Sequence, residues 1–186
     1  MSVPEPVFFI GFSGAGKSSV GKALARSLRA RFYDTDEMVI RKAGMSIADI
    51  FRFDGQASFR RLERDVIGGL INRLPGSAVV ALGGGAFLNS ENRKLVMTSG
   101  TVIYLSCSQR ELYRRLRQMT DRPLLLTDES KSEAASRILK SRIASMLKKR
   151  VRYYELADLR QSTTGRTVKD TVRELRRKLS RYYAKN

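Results

Sequence analysis

The run Gly11-Phe12-Ser13-Gly14-Ala15-Gly16-Lys17-Ser18, set directly behind the apolar stretch Val7-Phe8-Phe9-Ile10, constrains this chain more than any other feature. It satisfies the Walker A pattern G-x-x-x-x-G-K-[ST] at every specified position. A phosphate loop needs a strand before it and a helix after it, so that backbone N–H groups and a helix N-terminus converge on anionic oxygens. The flanks meet that demand. Val7 to Ile10 reads as a short buried strand, and Ser19 to Leu28, with Val20, Leu24 and Leu28 on one face, reads as a helix. Gly11, Gly14 and Gly16 allow positive φ and close backbone approach. Lys17 is expected to reach the β- and γ-phosphates and Ser18 to ligate Mg²⁺, with Gly14, Ala15, Gly16 and Ser19 completing the nucleotide cradle. The motif implies a nucleoside triphosphate and leaves open what receives the phosphate.

Further strand-like runs at Arg31 to Tyr33, Ala78 to Leu82, Thr101 to Leu105 and, more weakly, Leu159 to Gln161 alternate with helical patterns. That alternation predicts a parallel α/β sheet covered on both faces. Phe59, Leu62, Val66 and Leu70 mark one helix, and Ser46, with Asp49 three residues on, caps a shorter one. The helical pattern breaks after Met119 at Asp121-Arg122-Pro123 and resumes near Lys131, running to about Ala157. The gap at 119–131 has the size of a lid. At 186 residues, with no repeat or low-complexity linker, a single domain over 1–186 is expected.

The chain carries 36 Lys and Arg against 18 Asp and Glu, a formal charge of +18, which points either to nucleic acid or to a small polyanionic substrate. In the last helix Val168, Val172, Leu175, Leu179 and Tyr182 recur on one face, leaving Arg173, Arg177 and Arg181 as a solvated stripe. No helix-turn-helix, zinc pattern or aromatic RNA-binding signature accompanies it, so no specific nucleic acid is expected. The absence of His excludes imidazole catalysis and His-ligated zinc. The lone Cys107 excludes an internal disulfide and is expected to end a strand as a small buried side chain. No apolar run spans a membrane and no signal peptide opens the chain, so a cytoplasmic protein, expected as a monomer, is implied.

Many phosphate-loop NTPases hold magnesium through an Asp at the end of a later core strand. Here the Ala78 strand ends in Gly83-Gly84-Gly85 and the Thr101 strand in Ser106-Cys107, so neither supplies it. The acids follow the second strand instead, as Asp34-Thr35-Asp36, where a spacing of two on extended chain turns both carboxylates to one side. No guanine-reading N/T-K-x-D is present, and Asp65-Val66-Ile67-Gly68 lies inside a helix, against a GTPase. Arg60, the triple glycine, Arg122 and Arg150 complete the set. Phosphoryl transfer needs cations around the γ-phosphate and an acid to orient the acceptor hydroxyl. An arginine fork suits a carboxylate at the acceptor's other end. Taken singly, these acids and arginines read equally well as surface residues.

Together they resemble the shikimate kinase family, from about Val7 to the last helix. The resemblance is carried by Gly11 to Ser18, Asp34-Thr35-Asp36, Ser46-Ile47-Ala48-Asp49-Ile50-Phe51, Phe59-Arg60-Arg61-Leu62-Glu63, Gly83-Gly84-Gly85-Ala86, Arg122-Pro123-Leu124-Leu125, and Arg150 with Tyr154 four residues on. It implies a three-layer α/β/α fold of the nucleoside monophosphate kinase type, with a five-stranded parallel sheet in the order 2-3-1-4-5. It also implies ATP-dependent phosphorylation of the shikimate 3-hydroxyl, with Mg²⁺, in aromatic amino-acid biosynthesis, and a substrate-binding region at 34–74. By the resemblance, Asp36 holds the acceptor hydroxyls and takes the proton, and Asp34 acts on magnesium beside Ser18. Arg60 and Arg150 clamp the carboxylate, with Glu63 steadying Arg60, and the Gly83, Gly84 and Gly85 backbone approaches the ring. Lys17 and Arg122 neutralise the transferring phosphate, and Arg115 and Arg166 serve the nucleotide. Thr163 to Val168 lacks the proline often found in the family's adenine loop. Arg61, Arg114, Arg117, Lys148, Lys149 and Arg152 are expected on solvated faces. Another phosphate-loop kinase acting on a small metabolite or nucleotide is the alternative, and a nucleic-acid-binding ATPase a more distant one.

Overall fold

The computed structural model describes residues 3–118 and 133–185. Five short strands, β1 (Val7–Ile10), β2 (Arg31–Asp34), β3 (Ala78–Ala81), β4 (Thr101–Ser106) and β5 (Leu159–Ser162), pair in parallel in the order β2-β3-β1-β4-β5. This is the expected sheet. The described helices are α1 (Lys17–Leu28), α2 (Thr35–Ala43), α3 (Ile47–Asp49), α4 (Gly55–Ile71), α5 (Ser90–Thr98), α6 (Gln109–Leu116), α7 (Glu133–Tyr154) and α8 (Val168–Tyr183).

Side-chain alternation along the strands builds two cores. Val7 and Phe9 pack with Leu24, Leu112, Ile143, Leu175 and Leu179 on one face of the sheet. Phe8 and Ile10 pack with Ile67, Phe87, Val96 and Tyr154 on the other. Because both faces are covered, β1 and β3 are apolar without interruption, as is β4 from Val102 to Leu105. β5 lies at the sheet edge, where only Gln161 is buried, and this accounts for its weaker sequence signal.

Several local expectations hold and a few need correction. Ser46 caps α3 as expected, accepting from Asp49 N at 3.1 Å while its hydroxyl donates to Asp49 Oδ2 at 2.6 Å. The helix then passes through a π-helical turn at Ile50–Asp54, which the sequence pattern does not announce. Asp65 to Gly68 lies within α4, as anticipated. Asp34 and Asp36 do not share an extended segment. Asp34 ends β2 and its carboxylate caps α2, accepting from Asp36 N and Glu37 N, so Asp36 already belongs to the first helical turn. Cys107 falls just past β4 and is half-buried rather than buried. Val168 is 40% exposed because it opens α8 at the edge of a cleft instead of joining the core. The segment 119–131, with Arg122, lies outside the described residues. No described helix is long and apolar enough to cross a membrane.

Candidate active site

The phosphate loop bends where glycine was expected to be needed, with φ of 138° at Gly11, 81° at Gly14 and 94° at Gly16. At Gly11 a Cβ would stand 2.5 Å from the Leu105 carbonyl oxygen, so β4 packs against the loop backbone itself. Gly16 offers no side-chain cap to α1, and no acidic residue sits in that helix's first turn. Its leading N–H groups therefore keep their affinity for an anion. Lys17 Nζ donates to the carbonyls of Gly11 at 2.9 Å and Phe12 at 3.1 Å, folding the ammonium back over the loop. Ser18 Oγ donates to Asp34 Oδ2 at 2.5 Å. The two proposed oxygen ligands thus meet although 16 residues apart in sequence.

Gly14, Gly16, Lys17, Ser18 and Asp34 line a cleft of about 510 Å³ that also takes in Ser13, Ser19, Asp36, Leu82, Arg115 and Arg166. Arg115 is fixed over the loop: Nε donates to Glu111 at 2.8 Å, Nη1 to the Gly14 carbonyl at 3.1 Å, and Nη2 to the Thr163 carbonyl at 3.1 Å. Hydrogen bonding from Arg114, together with Arg115, holds the Glu111 carboxyl down at about 2. Thr163, buried at the end of β5, donates to the Ala15 carbonyl at 3.0 Å and reaches that of Ser106 at 3.3 Å. No local spacing in the sequence marks this threonine, since its role exists only once β5 pairs with β4. Glu111 could have been found from its i,i+4 spacing to Arg115. Arg166 lines the cleft while ion-paired to Glu174.

Beyond Asp36 the Gly83-Gly84-Gly85 turn collects the remaining candidates. A Cβ on Gly83 would lie 2.6 Å from Asp36 Oδ1 and 2.9 Å from Glu63 Oε1. One on Gly85 would lie 2.7 Å from Arg60 Nη2. Arg150 Nη1 donates to the Gly84 carbonyl at 3.1 Å. Gly83 is crowded by the two acids, Gly85 by the Arg60 guanidinium and Gly84 by Ser13 of the phosphate loop, so none of the three has room for a Cβ without a shift. Thr35, buried between the two acids, accepts from Gly83 N at 2.9 Å and ties this turn to the start of α2; it too escaped sequence reasoning. Arg60 Nη1 donates to Glu63 Oε2 at 2.5 Å. Burial raises the Glu63 pKa, opposed by the Arg60 guanidinium, while the Asp36 charge adds to the rise. The pairing of Arg60 with Glu63 is therefore as expected. Arg61, Arg114, Arg117, Lys148, Lys149 and Arg152 are exposed, again as expected.

No cluster of three or more acidic, His or Cys side chains able to hold a metal occurs among the described residues. Ser18 and Asp34 nevertheless offer adjacent hard oxygens at the cleft floor. That donor set suits Mg²⁺, which takes few protein ligands and completes its shell with water and phosphate oxygens.

The shikimate kinase family model matches residues 13–180. The chain is 40% identical over 179 residues to a shikimate kinase of Chlorobium chlorochromatii, covering 96% of this chain and 93% of that one. Its structure resembles that of the shikimate kinase from Acinetobacter baumannii in complex with shikimate, at a TM-score of 0.82, 30% identity and coverage of 92% and 90%. It also resembles the Bacteroides thetaiotaomicron shikimate kinase, at a TM-score of 0.83, 28% identity and coverage of 95% and 98%. A matched span that runs from the phosphate loop to the last helix takes in both ends of the cleft, and the chain belongs to the shikimate kinase family.

Proposed function

We propose that this enzyme transfers the γ-phosphoryl group of ATP to the 3-hydroxyl of shikimate, giving shikimate 3-phosphate and ADP. The observation that carries the reading is the Gly83-Gly84-Gly85 turn, where Asp36, Arg60 and Arg150 converge opposite the phosphate loop. An acceptor with a carboxylate at one end and hydroxyls at the other matches that set. Arg60 and Arg150 bind the carboxylate, and Asp36 orients the attacking hydroxyl and takes its proton as the new P–O bond forms. Lys17 and the α1 N-terminus hold the donor phosphates, and the bond to the ADP oxygen breaks as charge moves onto it. Arg115 and Arg166 serve the nucleotide side, and Arg122, outside the described residues, is assigned to the transferring phosphate.

Ser18 and Asp34 are the residues to hold Mg²⁺, which would neutralise phosphate charge in the ternary complex. We further take the enzyme to act in the cytoplasm as a single-domain monomer. A coupled ADP-release assay tests the function. Shikimate should stimulate turnover strongly, and gluconate or nucleoside monophosphates should not. Stimulation by one of those acceptors in place of shikimate would overturn the assignment.

A further inference from the structure

We propose that Tyr154 is a positioning residue of the acceptor site, holding the Gly84 carbonyl against which the Arg150 guanidinium is aimed. The inference rests on the acceptor reading above, in which Arg150 meets the substrate carboxylate. The Gly84 carbonyl accepts twice from α7: from Tyr154 Oη at 2.6 Å and from Arg150 Nη1 at 3.1 Å. The two residues stand four apart on the helix and so leave it on one face.

Tyr154 cannot act on substrate directly. It is 1% exposed, and its ring packs on Tyr104 with centroids 5.2 Å apart. Burial pushes the phenol up to about 12, with the neighbouring Arg150 opposing the rise, so the hydroxyl stays a donor through the working pH range. On its other side the Gly84 peptide abuts the phosphate loop. A Cβ there would stand 2.8 Å from Ser13 Oγ and 3.1 Å from Ser13 N. Arg150 itself lies over the Phe12 ring at 5.3 Å. The Gly84 peptide is thus held between the donor loop and α7, and the Tyr154 hydrogen bond is the shorter of the two that fix its carbonyl. Without it, the Arg150 N–H is the remaining donor to this carbonyl among the described residues, and the fork that receives the carboxylate loses a fixed reference.

The test is Tyr154→Phe, which keeps the ring and removes the hydroxyl. The KM for shikimate should rise on the order of fivefold, the scale of one neutral hydrogen bond, while kcat and the KM for ATP stay within about twofold. A second readout uses a shikimate analogue with the carboxylate replaced by a neutral amide. Wild type should discriminate against the amide, and Tyr154→Phe should lose that discrimination by the same factor. A purely packing role would instead lower the melting temperature and move kcat and both KM values together, which overturns the assignment. So does an unchanged shikimate KM. Failure of the wild type to distinguish carboxylate from amide overturns the acceptor reading, and this inference with it.

Discussion

Ser18 Oγ donates to Asp34 Oδ2 at 2.5 Å, joining the first turn of α1 to the end of β2. Asp34 has two separate tasks. One oxygen faces Ser18 in the cleft and the other caps α2 through Asp36 N at 3.0 Å and Glu37 N at 3.4 Å.

These tasks separate by substitution. Asparagine caps a helix about as well as aspartate, so Asp34→Asn should keep most of the stability while weakening the Mg²⁺ dependence of turnover by about 10-fold or more. Asp34→Ala should lose about 1 kcal/mol of stability in addition. Magnesium titration of turnover, paired with thermal melts, checks both, and an Asp34→Asn enzyme with unaltered magnesium dependence would remove Asp34 from the metal site.

Thr163 links β5 to the phosphate loop. Thr163→Val leaves the Ala15 carbonyl without its hydroxyl donor. The cost should be about 1–3 kcal/mol, with the KM for ATP raised several-fold and the KM for shikimate unmoved. Steady-state kinetics against each substrate decides it, and an equal rise in both constants would argue against a role on the donor side.

Alkaline pH should destabilise the fold through two tyrosines. Burial pushes the phenols of Tyr154 and Tyr183 up to about 12. Both stay protonated in the folded chain while an unfolded tyrosine ionises near 10. Stability is therefore fully present below about pH 10 and falls as pH rises toward 12. Denaturant unfolding across that range should show the decline, and Tyr183→Phe should make it shallower.

The arginine stripe of α8 places Arg173, Arg177 and Arg181 at successive i,i+4 positions, all exposed. Like charges at that spacing cost a few tenths of a kcal/mol per pair. Arg177→Gln should raise stability by that order at low ionic strength, and the gain should shrink in about 1 M salt. Turnover should not change, because the residue lies outside the cleft.

The sheet was legible because β1, β3 and the middle of β4 are buried on both faces and must be apolar, and because the phosphate loop can sit only between a strand and a helix. Arg60 with Glu63 was legible as a pair one helical turn apart, and Arg150 with Tyr154 only as part of the family resemblance. Thr35 and Thr163 were not. Each is a buried hydroxyl whose partner, Gly83 N or the Ala15 carbonyl, is brought near only by strand pairing, so no local spacing marks it. Asp34 and Asp36 both line the cleft, but not by the expected geometry: the chain turns into α2 at Thr35, and the two acids reach the cleft from a strand end and a helix start.

In the proposed mechanism the donor and acceptor halves meet at Asp36. It is tested most directly by shikimate-stimulated ADP release measured beside ATP affinity in Asp36→Asn. Turnover should fall by roughly 10²-fold or more, from the lower end of the range for a general base upward, with ATP affinity kept within about twofold. Near-normal kcat in that variant, or a parallel loss of ATP binding, would contradict it.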